Sequence, residues 1–143
     1  MTDLLIKKLI DDVDVPKYMT EGSVAFDISA AQDYVVFDKP IKVRTGIAVE
    51  VPKGYELNIR ARSGLSIKYP NYIVITGGGT IDQDYRGELL VAVINRSELR
   101  WGIKKGDRIA QGILHPVEIC DIKVVDELSE TDRGSGGYGH TGE

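Results

Sequence analysis

The sequence predicts an all-β fold, a sandwich or a jelly roll. Three observations predict it: short runs with apolar residues at alternate positions, turn residues between those runs, and a single stretch that reads as helix. At 143 residues the chain fits one domain with a real core, and 42% hydrophobic against 28% charged residues suits a globular protein.

Taken in order, Tyr34 to Phe37 and Ile47 to Val51 are short strand-like runs. Residues 54–60 alternate between apolar and polar, the period of a half-buried strand. Ser63 to Lys68 is the one helical candidate, and Tyr72 to Thr76 returns to strand character. Residues 89–94 are continuously apolar and predict a central strand covered on both faces. Ile119 to Val125 predicts a last strand, with Cys120 as a small packed residue. Lys39-Pro40, Pro52-Lys53-Gly54, Gly77-Gly78-Gly79 and Lys104-Lys105-Gly106-Asp107 punctuate these runs as turns. Residues 131–143 carry almost nothing to bury. Their composition reads as a frayed tail, yet it supplies a cation, an aromatic ring and several donors, the parts needed to close over a nucleotide.

A net charge of -4 and the lack of a basic stripe disfavour extended nucleic-acid binding, so any phosphate site must concentrate its cations locally. The lone cysteine excludes an intramolecular disulfide and a cysteine metal cluster. The apolar run at the N-terminus is too short for a signal peptide, and no run has membrane-spanning length. A reducing, cytoplasmic setting is expected, or host cytoplasm or nucleus for a viral protein.

Four short segments carry candidate chemistry. Arg62-Ser63-Gly64-Leu65-Ser66 is either a strand end entering a helix or a phosphate cradle of guanidinium, hydroxyl and backbone N–H groups. Asp82 to Glu88, placed on a hairpin before the apolar strand, is either a solvated acidic turn or a carboxylate held beside a reacting water. Gly106-Asp107-Arg108-Ile109-Ala110-Gln111 reads as a turn entering a strand, with Asp107 and Arg108 as structural partners. Asp27 is an acid in an apolar strand and needs a hydrogen-bond partner or a hydrated metal nearby. His115, before Pro116, reads as structural.

Together with the tail, these pieces resemble the five ordered motifs of the trimeric dUTPase family. They are Ala25-Phe26-Asp27-Ile28-Ser29-Ala30-Ala31, Ala61 to Ser66, Gly79 to Leu89, Gly106 to Gln111, and Arg133 to Gly142. The resemblance spans nearly the whole chain. It implies a jelly-roll-like β-sandwich core over 1–128 and a glycine-rich, flexible arm over 129–143. It also implies a homotrimer with active sites shared between subunits, each arm closing over a neighbour's site.

The same resemblance assigns roles. Asp82 matches the general base that activates water for attack on the α-phosphorus of dUTP, giving dUMP and pyrophosphate. That activity keeps uracil out of DNA and supplies dUMP for dTMP synthesis. Mg²⁺ is implied as cofactor, held mainly by substrate phosphates, with Asp27 reaching it indirectly through water. Ser63 matches a hydroxyl at the α–β bridge, and Arg62, Gln111 and Arg133 match groups along the β and γ phosphates. Tyr85 matches the ring beneath the deoxyribose and Tyr138 the ring stacked over uracil. Backbone from Thr76 to Asp82, including Gly79 and Ile81, is expected to read the base. Gly64, Gly137, His140 and Thr141 complete the expected substrate contacts. Departures from the family pattern are Phe26 for tyrosine in the first motif, Thr76 for a common asparagine, and His140 for a frequent serine. A dCTP deaminase on the same fold is disfavoured because Ala92 stands where its glutamate is needed. A regulatory dUTP-binding protein acting through a protein partner is a second rival, and a structural jelly-roll subunit, the third, leaves the clustered motifs unexplained.

Overall fold

The computed structural model describes residues 2–75 and 79–137. Among the described residues ten strands and one helix form, in the order β1 Leu5–Lys8, β2 Phe26–Ser29, β3 Tyr34–Val36, β4 Ile41–Glu50, β5 Tyr55–Arg60, α1 Ser63–Lys68, β6 Tyr72–Val74, β7 Gly79–Ile81, β8 Glu88–Asn95, β9 Trp101–Ile103 and β10 Arg108–Pro116. Two four-stranded antiparallel sheets, ordered β1-β4-β8-β6 and β2-β10-β5-β7, share one core, and β3 pairs with β9 in a small third sheet. The all-β architecture with one short helix is as expected. No described helix is long and apolar enough to cross a membrane.

Alternation builds the core. On β5, Leu57 and Ile59 point inward at 0% and 2% exposure, while Glu56, Asn58 and Arg60 take the outward positions. On β10, Gly112 lies opposite Ile59, and a Cβ there would stand 2.5 Å from the Phe26 ring. Only glycine therefore admits that ring. A bulge in β4 between Arg44 and Ala48 turns the chain at Gly46, whose φ of +70° suits glycine. Glu88 pins this bulge, accepting from Gly46 N at 2.8 Å and from Arg44 Nε at 2.9 Å.

Three expectations are corrected. The apolar run of β8 is central, between β4 and β6, but one face alone is buried throughout, at Leu89, Val91 and Val93; on the other, Ile94 is buried while Leu90 and Ala92 are half-covered. Residues 82–87 are not a hairpin, because β7 and β8 belong to different sheets and the loop crosses between layers. Ile119 to Val125 forms no strand, and Cys120 is exposed rather than packed. The reason is physical: Val117 N still bonds Gly54 O, but among the described residues nothing pairs with the chain beyond it. Ile119, Ile122, Val124 and Leu128 are left 82–98% exposed.

Candidate active site

The second and fourth motifs meet at Asp27. Arg62 leaves the end of β5 and donates from Nε to Asp27 Oδ1 at 2.8 Å, while Arg108 NH1 reaches Oδ2 at 3.0 Å. Arg62 NH1 also bonds the Arg108 carbonyl at 3.2 Å, closing a triangle. This supplies the partners that an acid in an apolar strand requires. Asp107 turns elsewhere, accepting from Lys104 N at 2.8 Å to shape the turn, so the expected Asp107–Arg108 pairing does not form.

A one-residue bulge places Arg108. The register runs Gln111↔Asp27 and Ala110↔Ile28, then skips to Arg108↔Ser29. Ile109 and Ala110 can therefore both be buried at 0% exposure, and Arg108 emerges on the face of Asp27. Sequence reasoning missed Arg108 as a site residue. The signal was present in two consecutive apolar residues, Ile109-Ala110, which break strand alternation.

Beside this triangle, Arg62, Gly64, Lys68, Asp107 and Arg108 line a cleft of 390 Å³. Its three cations outnumber two carboxylates, Asp107 on the lining and Asp27 behind the arginines, so it is locally positive in an acidic chain. In α1, Leu65 N and Ser66 N both bond Arg62 O. Gly64 lines the cleft and Ser63 before it is exposed, and the Ser63 hydroxyl and the two N–H groups engage no acceptor among the described residues. Gln111 lies on the Asp27 face between that residue and Arg60 in the register.

Asp82 is exposed after β7, and among the described residues its carboxylate makes no hydrogen bond or ion pair. Its loop is nonetheless fixed. Tyr85 N bonds Asp82 O at 3.2 Å, the Tyr85 hydroxyl bonds Glu88 O at 2.9 Å, and Arg86 pairs with Glu50 at 3.6 Å. The Tyr85 ring lies over Gly87, where a Cβ would stand 2.4 Å from the phenolic oxygen.

The chain does not bring Asp82 to the cradle. Ile81 pairs with Leu57 near the start of β5, whereas Arg62 lies beyond its end, roughly 15 Å further along the strand. β7 and β2 also occupy opposite edges of their sheet. Arg133 bonds its own turn at Gly136 O, 2.9 Å away, and Gly137 is exposed. Gly79 and Ile81 lie half-buried on β7. Thr76, Tyr138, His140 and Thr141 lie outside the described residues.

Among the described residues no cluster of three or more His, Cys, Asp or Glu forms a metal cage. Both Asp27 oxygens are committed to guanidinium groups, so this carboxylate does not fit as a direct metal ligand. Any cation would have to be carried by ligand phosphates and water.

An all-β sandwich with two arginines braced on one carboxylate beside an open cleft defines a scaffold able to hold an anionic ligand. Its sequence matches the dUTPase family model over residues 11–142. It is 44% identical over 140 residues to the deoxyuridine 5'-triphosphate nucleotidohydrolase of Nautilia profundicola, covering 97% of this chain and 98% of that one. It is 46% identical over 143 residues to the enzyme of the same name from Paramecium bursaria Chlorella virus 1, covering 99% of both. Among solved structures, the Staphylococcus bacteriophage 80alpha dUTPase with dUPNHPP superposes with a TM-score of 0.88 at 26% identity, covering 100% of both chains. The chain belongs to the dUTPase family, and it is an enzyme of the dUTP diphosphatase class.

Proposed function

We propose that this chain hydrolyses dUTP to dUMP and pyrophosphate, with Asp82 as general base and a site completed by neighbouring copies in a homotrimer. One observation carries the reading: an unencumbered Asp82 on a fixed loop and a cation-lined cradle at Arg62 stand at opposite ends of β5. Neither end suffices alone, and juxtaposing two copies supplies both.

In the reaction, a water oxygen bonds to the α-phosphorus as the bond to the α–β bridging oxygen breaks. Asp82 takes the water's proton, a contribution of about 10²–10⁴-fold. Negative charge develops on the leaving pyrophosphate, where in this reading Arg62, Gln111 and the Ser63 hydroxyl meet it, joined by Arg133 from an arm. Tyr85, held against Gly87, forms the floor beneath the sugar and leaves no room for a 2′-hydroxyl. Backbone of 76–82 reads the uracil, and Tyr138, His140 and Thr141 close over the nucleotide. Mg²⁺ on the phosphate oxygens would neutralise charge and fix the triphosphate, with Asp27 in contact only through water.

The exposed apolar residues of 118–128 support the trimer, since a second copy would cover them. In this reading that stretch feeds the arm, 129–143, toward a neighbour's site. The trimer acts in the cytoplasm, supplying dUMP and keeping uracil out of DNA. Product analysis with Mg²⁺ and dUTP, dCTP, dTTP and UTP tests the reaction. Pyrophosphate and dUMP from dUTP alone, lost in Asp82→Asn, are expected; intact bound dUTP would overturn it.

A further inference from the structure

A second cavity, of 270 Å³, backs onto the phosphate cleft between the end of α1 and the β8–β9 loop. Lys68, Tyr69 and Trp101 line both. Its chemistry is distinct from the cleft. Trp101 stands between two tyrosines, with ring centroids 3.9 Å from Tyr72 and 5.4 Å from Tyr69. Lys68 and Arg100 are its charged residues, and no carboxylate lines it. In a chain with a net charge of -4, that selects for an anion.

Tyr72 adds a second, independent feature. It lines this cavity at 4% exposure, and its hydroxyl is the buried side-chain polar atom left without a partner among the described residues. Asn95, equally buried, is by contrast fully engaged with Val36 O, Leu99 O and Ser97. Burial, and secondarily the charge of Asp107, push the Tyr72 phenol well above its ordinary range, so it stays a donor at neutral pH. A buried donor without an acceptor, beside tilted aromatic rings and two cations, combines the groups that recognise a polar aromatic anion.

We propose that this cavity is a second nucleotide site, taking a planar heterocycle against Tyr69, Tyr72 and Trp101 and an anionic phosphate at Lys68 and Arg100, the chemistry of a nucleoside monophosphate. The Tyr72 hydroxyl donates to the heterocycle. The shared wall of Lys68, Tyr69 and Trp101 makes occupancy readable from the phosphate cleft, so a nucleotide here modulates turnover without entering the reaction.

Trp101 is the one tryptophan of the chain and reports directly on this cavity. The test titrates the full-length protein with adenosine 5′-monophosphate while following tryptophan emission. Adenosine and inorganic phosphate serve as separate probes. Saturable quenching by the nucleotide is expected, with adenosine weaker and phosphate alone weaker still. Tyr72→Phe should weaken binding about three- to tenfold, and Arg100→Glu about tenfold or more, with dUTP hydrolysis in the absence of added monophosphate unchanged in both. No saturable change, equal quenching by phosphate alone, or the same affinity in wild type and both variants would overturn the proposal.

Discussion

Arg108 donates to the Asp27 carboxylate at 3.0 Å across a bulge that shifts β10 by one residue against β2. With Arg62 on the other oxygen, one carboxylate fixes two guanidinium groups from separate motifs. Asp27 is thus a positioning residue, and its replacement should act on both cations at once.

Asp27→Asn keeps the shape but removes the charge. It should cost about 1–3 kcal/mol of stability and lower kcat/KM for dUTP more than Arg108→Lys does. Urea unfolding and steady-state kinetics check this. If Asn at 27 leaves both unchanged, the carboxylate does not organise the cradle.

Gly87→Ala would push a methyl into the Tyr85 ring, since the Cβ position lies 2.4 Å from its oxygen. The expected result is a loss of about 1–3 kcal/mol and, with Tyr85 as the proposed floor beneath the sugar, a smaller preference for dUTP over UTP. Comparing kcat/KM for the two substrates decides it.

Glu88→Ala would strand the Gly46 N–H inside the β4 bulge and free Arg44. A loss of about 1–3 kcal/mol is expected, with hydrogen exchange accelerated at Gly46 and also at Leu9, whose N–H bonds Gly46 O at 2.8 Å. Faster exchange at Gly46 but not at Leu9 would show that β1 does not depend on the bulge.

Tyr72 predicts an alkaline signature. Its folded pKa is raised, chiefly by burial, so its contribution is fully present below the unfolded value of about 10 and is lost as pH rises toward the folded one. Stability should therefore fall above that pH in the wild type and fall less in Tyr72→Phe. Denaturant midpoints from neutral to alkaline pH measure the difference; parallel curves would contradict it.

Much of this was legible in the residues. Alternation in 54–60 foretold which side of β5 is buried, and the helix at 63–68 formed where expected. The resemblance grouped Arg62 and Gln111 along the phosphates, and the structure adds that Asp27 bonds the first and lies opposite the second. Single-chain periodicity could not show that Asp82 and Arg62 stand at opposite ends of β5, because that is a matter of register. It also made Ile119 to Val125 a strand, since alternation records what a segment can pair with and not whether the partner lies in the same chain. The Arg108 bulge left its trace in the consecutive apolar pair Ile109-Ala110, because an added residue inverts the two faces of a strand.

The central claim, that the site is assembled from more than one copy, is tested by mixing. Asp82→Asn and Arg62→Ala variants, each inactive alone, are unfolded together and allowed to reassemble at equal concentration. If Asp82 and Arg62 of a working site come from different copies, about a quarter of all sites after random reassembly carry both native residues, and dUTP hydrolysis returns in that proportion. Trimers shown to be mixed by mass, yet without activity, would place both residues of each site in one chain and contradict the account.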